Sequence, residues 1–222
     1  FQEWTGGDLS TLVPEQRSPE TLPGHILSIE EIEELCAVVD ISTLAGFRNR
    51  TLIELLYGTG LRIGEALALR LEHIDLKAGY LLVKAGKGGK DRKIPITRTA
   101  GIFLGEYLVR VRPYFIGATP REYVFLTHLG EKVSRNLMGG YLREYGKRAG
   151  FSFSLHAHLF RHSFAVHLMR GGMDLRQLSC LLGHENVETT VIYTRISDED
   201  LRERVEKYHF YGEGGSRLPG EV

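Results

Sequence analysis

In the stretch LLGHENVETTVIYTRI, Tyr193 follows His184 by nine residues. A tyrosine oxygen becomes a competent nucleophile once its proton is removed by, or shared with, a neighbour such as a histidine. At about 100° per helical residue, Tyr193 falls well off the centre of the apolar arc drawn by Val187, Val191, Ile192 and Ile196, which leaves its hydroxyl wet. Upstream, HLFRH sets His158 and Arg161 three apart, on one face of a helix. GTGLRIGEAL puts Arg62 just after two glycines at a helix start, and AGKGGKDR presents Lys87 in a turn. Two arginines, two histidines, a lysine and a tyrosine, without paired carboxylates, suit phosphoryl transfer without a metal. Guanidinium forks neutralise the non-bridging oxygens of a phosphodiester and stabilise the extra charge of its pentacoordinate transition state. A lysine near the departing 5′ oxygen can protonate it.

These residues need a scaffold, and the sequence predicts a mainly helical one. SIEEIEELCAVVD opens with Ser28 and Glu31 as a capping box and carries Ile29, Ile32 and Leu35 at helical spacing. FRNRTLIELLYGTG reads as a second helix closed by Gly58 and Gly60, and IGEALALR as a third. GYLLVKAGKGGKDRKIPI predicts two strands, near 80–84 and 92–96, joined by a basic turn. Helical patterns follow at 99–111, 134–149, 159–170 and 174–182, with a strand-like YVFLT at 123–127. Two last helices are predicted in VETTVIYTR and, capped by Ser197, in DEDLRERVEKY. The expectation is an α+β domain, helices around a small antiparallel sheet, from residue 28 to 210. Residues 1–27 read as a linker or tail and 211–222 as a C-terminal tail.

The formal net charge is zero, but it is not spread evenly. Residues 1–40 hold one basic and nine acidic side chains and residues 196–222 four and seven, leaving 23 basic and 12 acidic in between. Lys84, Lys87, Lys90, Arg92 and Lys93, opposed by Asp91 alone, are the densest part, and Lys84, Lys90, Arg92 and Lys93 are the candidate DNA-contacting group. The absence of a long apolar run and of a leader pattern makes a cytoplasmic, nucleoid-associated protein the expectation, with no membrane partner. Cys36 and Cys180 each lie in an apolar helical pattern and are expected to be buried thiols.

Taken in order, the motifs resemble the catalytic domain of the tyrosine recombinase (phage integrase) superfamily, in the style of its Xer-type members. TGLRIGEALAL is similar to the motif of the first catalytic arginine, Arg62, and KAGKGGKDRKIPI to the hairpin that carries the catalytic lysine, Lys87. The segment from His156 to Ile196 resembles the carboxy-terminal signature, with His158 and Arg161 as its His-x-x-Arg pair, His184 as its second histidine and Tyr193 as its nucleophile. The resemblance implies recombination through a 3′-phosphotyrosyl link on double-stranded DNA, without ATP or metal, by protomers that gather as a tetramer. It also implies that Glu65, three residues after Arg62, helps orient the site; a glutamate in a first helical turn is equally good capping electrostatics. Ala157 stands where the family usually has proline and Phe160 where it has leucine, both read as packing changes. Nothing before residue 28 resembles the family's helical amino-terminal domain, so the chain is expected to correspond to the catalytic domain alone. Its acidic segment 198–208 packs either on a neighbouring protomer or on its own domain.

Rival readings fit less. His158 and His162 have helical i,i+4 spacing, but no Glu of a zinc-protease motif lies between them, and AGKGGKDR does not meet the phosphate-loop pattern. His156 competes with His158, without the three-residue spacing to Arg161, and Lys84 and Lys90 compete with Lys87. The chief alternative is a helix-turn-helix regulator with Gly183 in its turn, which would have no use for Arg62, Lys87 and Arg161 directed at one phosphate.

Overall fold

The structure is a computed structural model that describes residues 25–84, 91–116, 122–183, 202 and 205. Lys87, Lys90, His184 and Tyr193 lie outside the described residues, as do most of the two last predicted helices.

Helix α1 (Ile29–Ala37) starts where the capping box places it: the Glu31 N–H donates to Ser28 Oγ at 3.1 Å and the Ser28 N–H to Glu31 Oε2 at 2.7 Å. Helix α2 (Leu44–Thr59), capped by Thr43, is buried almost from end to end. It packs on α4 (Arg98–Glu106) and α6 (Ala157–Arg170) and forms the axis of the molecule. A buried helix must satisfy its polar side chains internally. Arg50 does so by pairing with Glu54 at 2.7 Å and donating to the Cys36 carbonyl, while Arg48 donates to the Leu126 carbonyl at 2.9 Å.

Short α3 (Ile63–Leu67) leads into the sheet. Strands β1 (Ile74–Asp75), β2 (Tyr80–Val83) and β3 (Arg92–Pro95) pair antiparallel in that order, with Leu81 opposite Ile94 and Val83 opposite Arg92. The hairpin is therefore present, and β1 is a strand that the sequence pattern did not show. The remaining α-helices among the described residues are α5 (Arg135–Arg148) and α7 (Leu175–Leu182). Val124, Phe125 and Leu126 are fully buried, but YVFLT forms no strand; it makes isolated bridges, Arg70 to Tyr123 and Leu126 to Lys132. A short buried apolar run looks the same either way, and pairing is set by distant segments. The predicted helix 99–111 is α only to Glu106 and continues as a π turn over Tyr107–Val111.

One hydrophobic cluster runs from Leu27 to Val205 and includes Phe160, with Ala157 packed against it. Both departures from the family pattern are thus packing positions. Cys36 is buried, but Cys180 is exposed, contrary to expectation. Leu178, Leu181 and Leu182 define the buried face of α7, and Cys180 lies about 100° or more away from each. Val205 is buried and Arg202 donates to the Ala78 carbonyl at 3.1 Å, so both described residues of the acidic segment rest on their own domain. Among the described residues no helix is long and apolar enough to cross a membrane.

Candidate active site

Two helix ends meet beside the hairpin. Helix α2 ends at Gly60 (φ 63°) and α7 at Gly183 (φ 65°), both left-handed, the conformation that ends a helix and favours glycine. Gly60 has a second constraint, because a Cβ there would collide with the Phe164 ring on α6. Left-handed caps leave carbonyls in need of donors. Arg161, 5% exposed, donates Nη1 to the Gly60 carbonyl at 2.8 Å and Nη2 to the Leu182 carbonyl at 2.7 Å. One buried guanidinium thus ties the turn before Arg62 to the turn before residue 184, and a cation at two helix C-termini is also favoured by their dipoles.

Arg62 is the N-cap of α3, and its side chain is 51% exposed. Its N–H donates to Glu65 Oε2 at 2.8 Å, and its Nη1 lies 3.4 Å from Glu65 Oε1. Glu65 also accepts from Arg92, whose Nη2 is 3.0 Å from both carboxylate oxygens. Burial opposes the ionisation of Glu65, but the Arg62 N–H and the Arg92 guanidinium, then the charge of Arg62, outweigh it and hold the carboxyl below its ordinary range. The two readings of Glu65, cap and orienter, are the same set of bonds.

Burial, and after it the charges of Arg62 and Arg92 against the opposing pull of Glu65, lower the Arg161 guanidinium to about 10. The three arginines therefore act on one another, with one carboxylate among them. Among the described residues, Arg62, Arg92 and Arg161 face one carboxylate, Glu65, which pairs with Arg92 and Arg62, and the excess positive charge is a demand for an oxyanion.

His158 is exposed on the first turn of α6, one turn before Arg161. Burial and then the charge of His158 hold both His156 and His162 below the ordinary histidine range. His156 lines a separate groove with His25, Glu31 and Phe153, which does not include His158.

The structure divides the cations read together on the hairpin. Lys84 pairs with Asp91 at 2.6 Å across its base, and Lys93 is exposed on the sheet face opposite Arg92 and Ile94. Arg92 points inward to Glu65 and to the Leu181 carbonyl, 3.3 Å from its Nε. The physical reason is the two-residue period of β3, which sends alternate side chains to opposite faces. Sequence reasoning missed Arg135, whose guanidinium lies over Gly64, between Arg62 and Glu65 in the chain. A glycine inside α3 was its signal, since an interior glycine marks a close approach.

The phage integrase family model matches residues 25–200. Tyrosine recombinase XerD of Staphylococcus epidermidis is 34% identical over 208 residues, 94% of this chain and 70% of that protein. XerA recombinase is similar in structure at a TM-score of 0.66 and 30% identity, over 86% of this chain and 67% of XerA. XerH recombinase, in a pre-cleavage complex with its difH substrate, gives 0.64 and 29% identity over 78% of this chain and 50% of XerH.

Proposed function

The chain belongs to the phage integrase family, and from that premise we propose that it is a site-specific DNA recombinase that cuts and rejoins double-stranded DNA through Tyr193. The observation that carries the reading is the excess of guanidinium charge, from Arg62, Arg92 and Arg161, over the one carboxylate of Glu65, held beside the turn that leads to residue 184. Their excess positive charge suits a phosphodiester and suits better the dianionic transition state formed when a nucleophile adds.

In the proposed reaction the Tyr193 oxygen attacks the scissile phosphorus, a P–O bond to tyrosine forms, and the P–O5′ bond breaks. The tyrosine proton passes to His184 or His158, which also hydrogen-bond the phosphate oxygens. Lys87 gives a proton to the departing 5′ oxygen, and Glu65 orients Arg62. The phosphodiester energy is kept in the tyrosyl link, so a 5′-hydroxyl from a partner strand reverses the step without ATP or metal. Lys84, Lys90 and Lys93 add charge along the DNA backbone. Residues 28–210 form the catalytic domain, flanked by 1–27 and 211–222, and the protein works at the nucleoid as a tetramer on DNA. If the acidic segment links protomers, Arg202 must leave the Ala78 carbonyl and Val205 the core.

A non-catalytic helix-turn-helix regulator does not explain why Arg161 and Arg62 share a site. The test is covalent capture: a randomised pool of nicked duplexes is incubated with the protein and separated under denaturing conditions. Wild type is expected to retain a denaturation-resistant protein–DNA adduct and Tyr193→Phe none. Equal adduct from both proteins, or none from wild type, refutes the reading.

A further inference from the structure

We propose that Arg92 is a positioning residue, which cross-ties the three segments that carry Arg62, Lys87 and His184 and frees the Arg62 guanidinium for phosphate. The inference rests on the recombinase reading above. It starts from the position of Arg92 on β3 opposite Val83, where the strand's alternation turns it to the core face and leaves its side chain 17% exposed.

From there one side chain makes three contacts with two parts of the chain that are far from it and from each other in sequence. Its Nη2 bridges both oxygens of Glu65 at 3.0 Å, on the helix that Arg62 caps. Its Nε donates to the Leu181 carbonyl at 3.3 Å, at the end of α7. Its stem and guanidinium lie flat on Gly183, where a Cβ would be 3.1 Å from Cδ, Nε and Cζ, so the left-handed glycine is also the seat for this arginine. Residue 184 follows Gly183 directly, and Lys87 lies in the chain between β2 and β3.

The electrostatic consequence is specific. Glu65 is half-buried and already draws on Arg62 through its N–H and its Nη1. Without Arg92, the pairing of that carboxylate falls more heavily on Arg62, its neighbour at 3.4 Å, and an arginine committed to a carboxylate is withdrawn from a phosphate. In metal sites, loss of the outer partner that orients a ligating group typically costs about 10–100-fold in affinity or activity, and the same order is expected for the partner of Glu65.

The experiment uses the full chain and a nicked duplex selected by covalent capture with wild type. Arg92→Gln is expected to lower the single-turnover rate of adduct formation by about 10–100-fold, with duplex Kd and its salt dependence unchanged. Arg92→Lys recovers part of the loss, and Arg92→Gln combined with Glu65→Gln is no slower than the slower single variant, because the two act as a unit. A DNA-free measurement stands beside it: in Arg92→Gln the Glu65 carboxyl, followed by NMR, titrates at higher pH, and the Gly183 amide, bonded to the Ser179 carbonyl at 3.0 Å, exchanges faster. Weaker binding to every duplex with a salt slope smaller by about one would make Arg92 a phosphate contact and overturn the proposal. So would an unchanged adduct rate, a loss that disappears per folded molecule, or an unmoved Glu65 titration and Gly183 exchange. If wild type captures no DNA, the recombinase reading fails, while the NMR pair still decides whether Arg92 holds Glu65 and Gly183.

Discussion

Arg50 and Arg161 are buried to nearly the same degree, 7% and 5% exposed, and both donate to backbone carbonyls. They differ in what neutralises them. Arg50 has Glu54 at 2.7 Å, one helical turn away on the same helix. Among the described residues Arg161 has carbonyls as its direct partners, and the nearby carboxylate of Glu65 is engaged by Arg92 and Arg62. The carboxylates diverge as well: burial pushes Glu54 up while Arg50 pulls it back, whereas the Arg62 N–H and Arg92 overcome burial and hold Glu65 down. An arginine that closes its charge internally supports the fold; one left open is available to a ligand.

The contrast breaks if the two sites respond alike to mutation. Arg161→Ala should slow adduct formation by about 10³–10⁵-fold, the range for an arginine that stabilises a phosphoryl transition state. It should also lower stability by about 1–3 kcal/mol for each carbonyl left without a donor; single-turnover capture and urea unfolding separate the two effects. Glu54→Leu should behave in the opposite way. Stability falls by about 3–5 kcal/mol, because Arg50 is left as a buried uncompensated charge, and adduct formation per folded molecule stays as in wild type. A Glu54 variant that folds well and cleaves slowly would show that the axial pair serves the site.

The pH dependence sharpens the same comparison. The folded-state value of Glu65 lies below its ordinary 4.5, so the stability it contributes is fully present above about pH 4.5 and is lost as pH falls through the depressed value. The difference in unfolding free energy between wild type and Glu65→Gln should therefore shrink below pH 4.5. A constant difference would mean that the carboxylate charge is not what Arg92 and Arg62 hold. At the small end, Lys84→Ala removes an exposed pair with Asp91 at 2.6 Å and should change stability by less than about 1 kcal/mol.

The helices were legible because their signals are local. Ser28 with Glu31 and the glycine at position 60 each announce a helix end through their own backbone chemistry. The hairpin was legible too, since apolar alternation and a glycine-rich turn fix a two-strand register. Strand β1 was not, because two residues carry no period, and the exposure of Cys180 was hidden by an apolar helical pattern that did not reveal which face α7 buries.

The site divides in the same way. Sequence by itself determined which residue types recur in order, Arg62, Lys87, His158, Arg161, His184 and Tyr193, and therefore which chemistry to look for. Only the tertiary structure decided that Arg161 joins Gly60 to Leu182, and that Arg92 turns inward to Glu65 while Lys93 faces away. A residue's chemistry travels with its identity. Whether its charge is closed or open depends on neighbours that are distant in the chain, and folding alone brings those together.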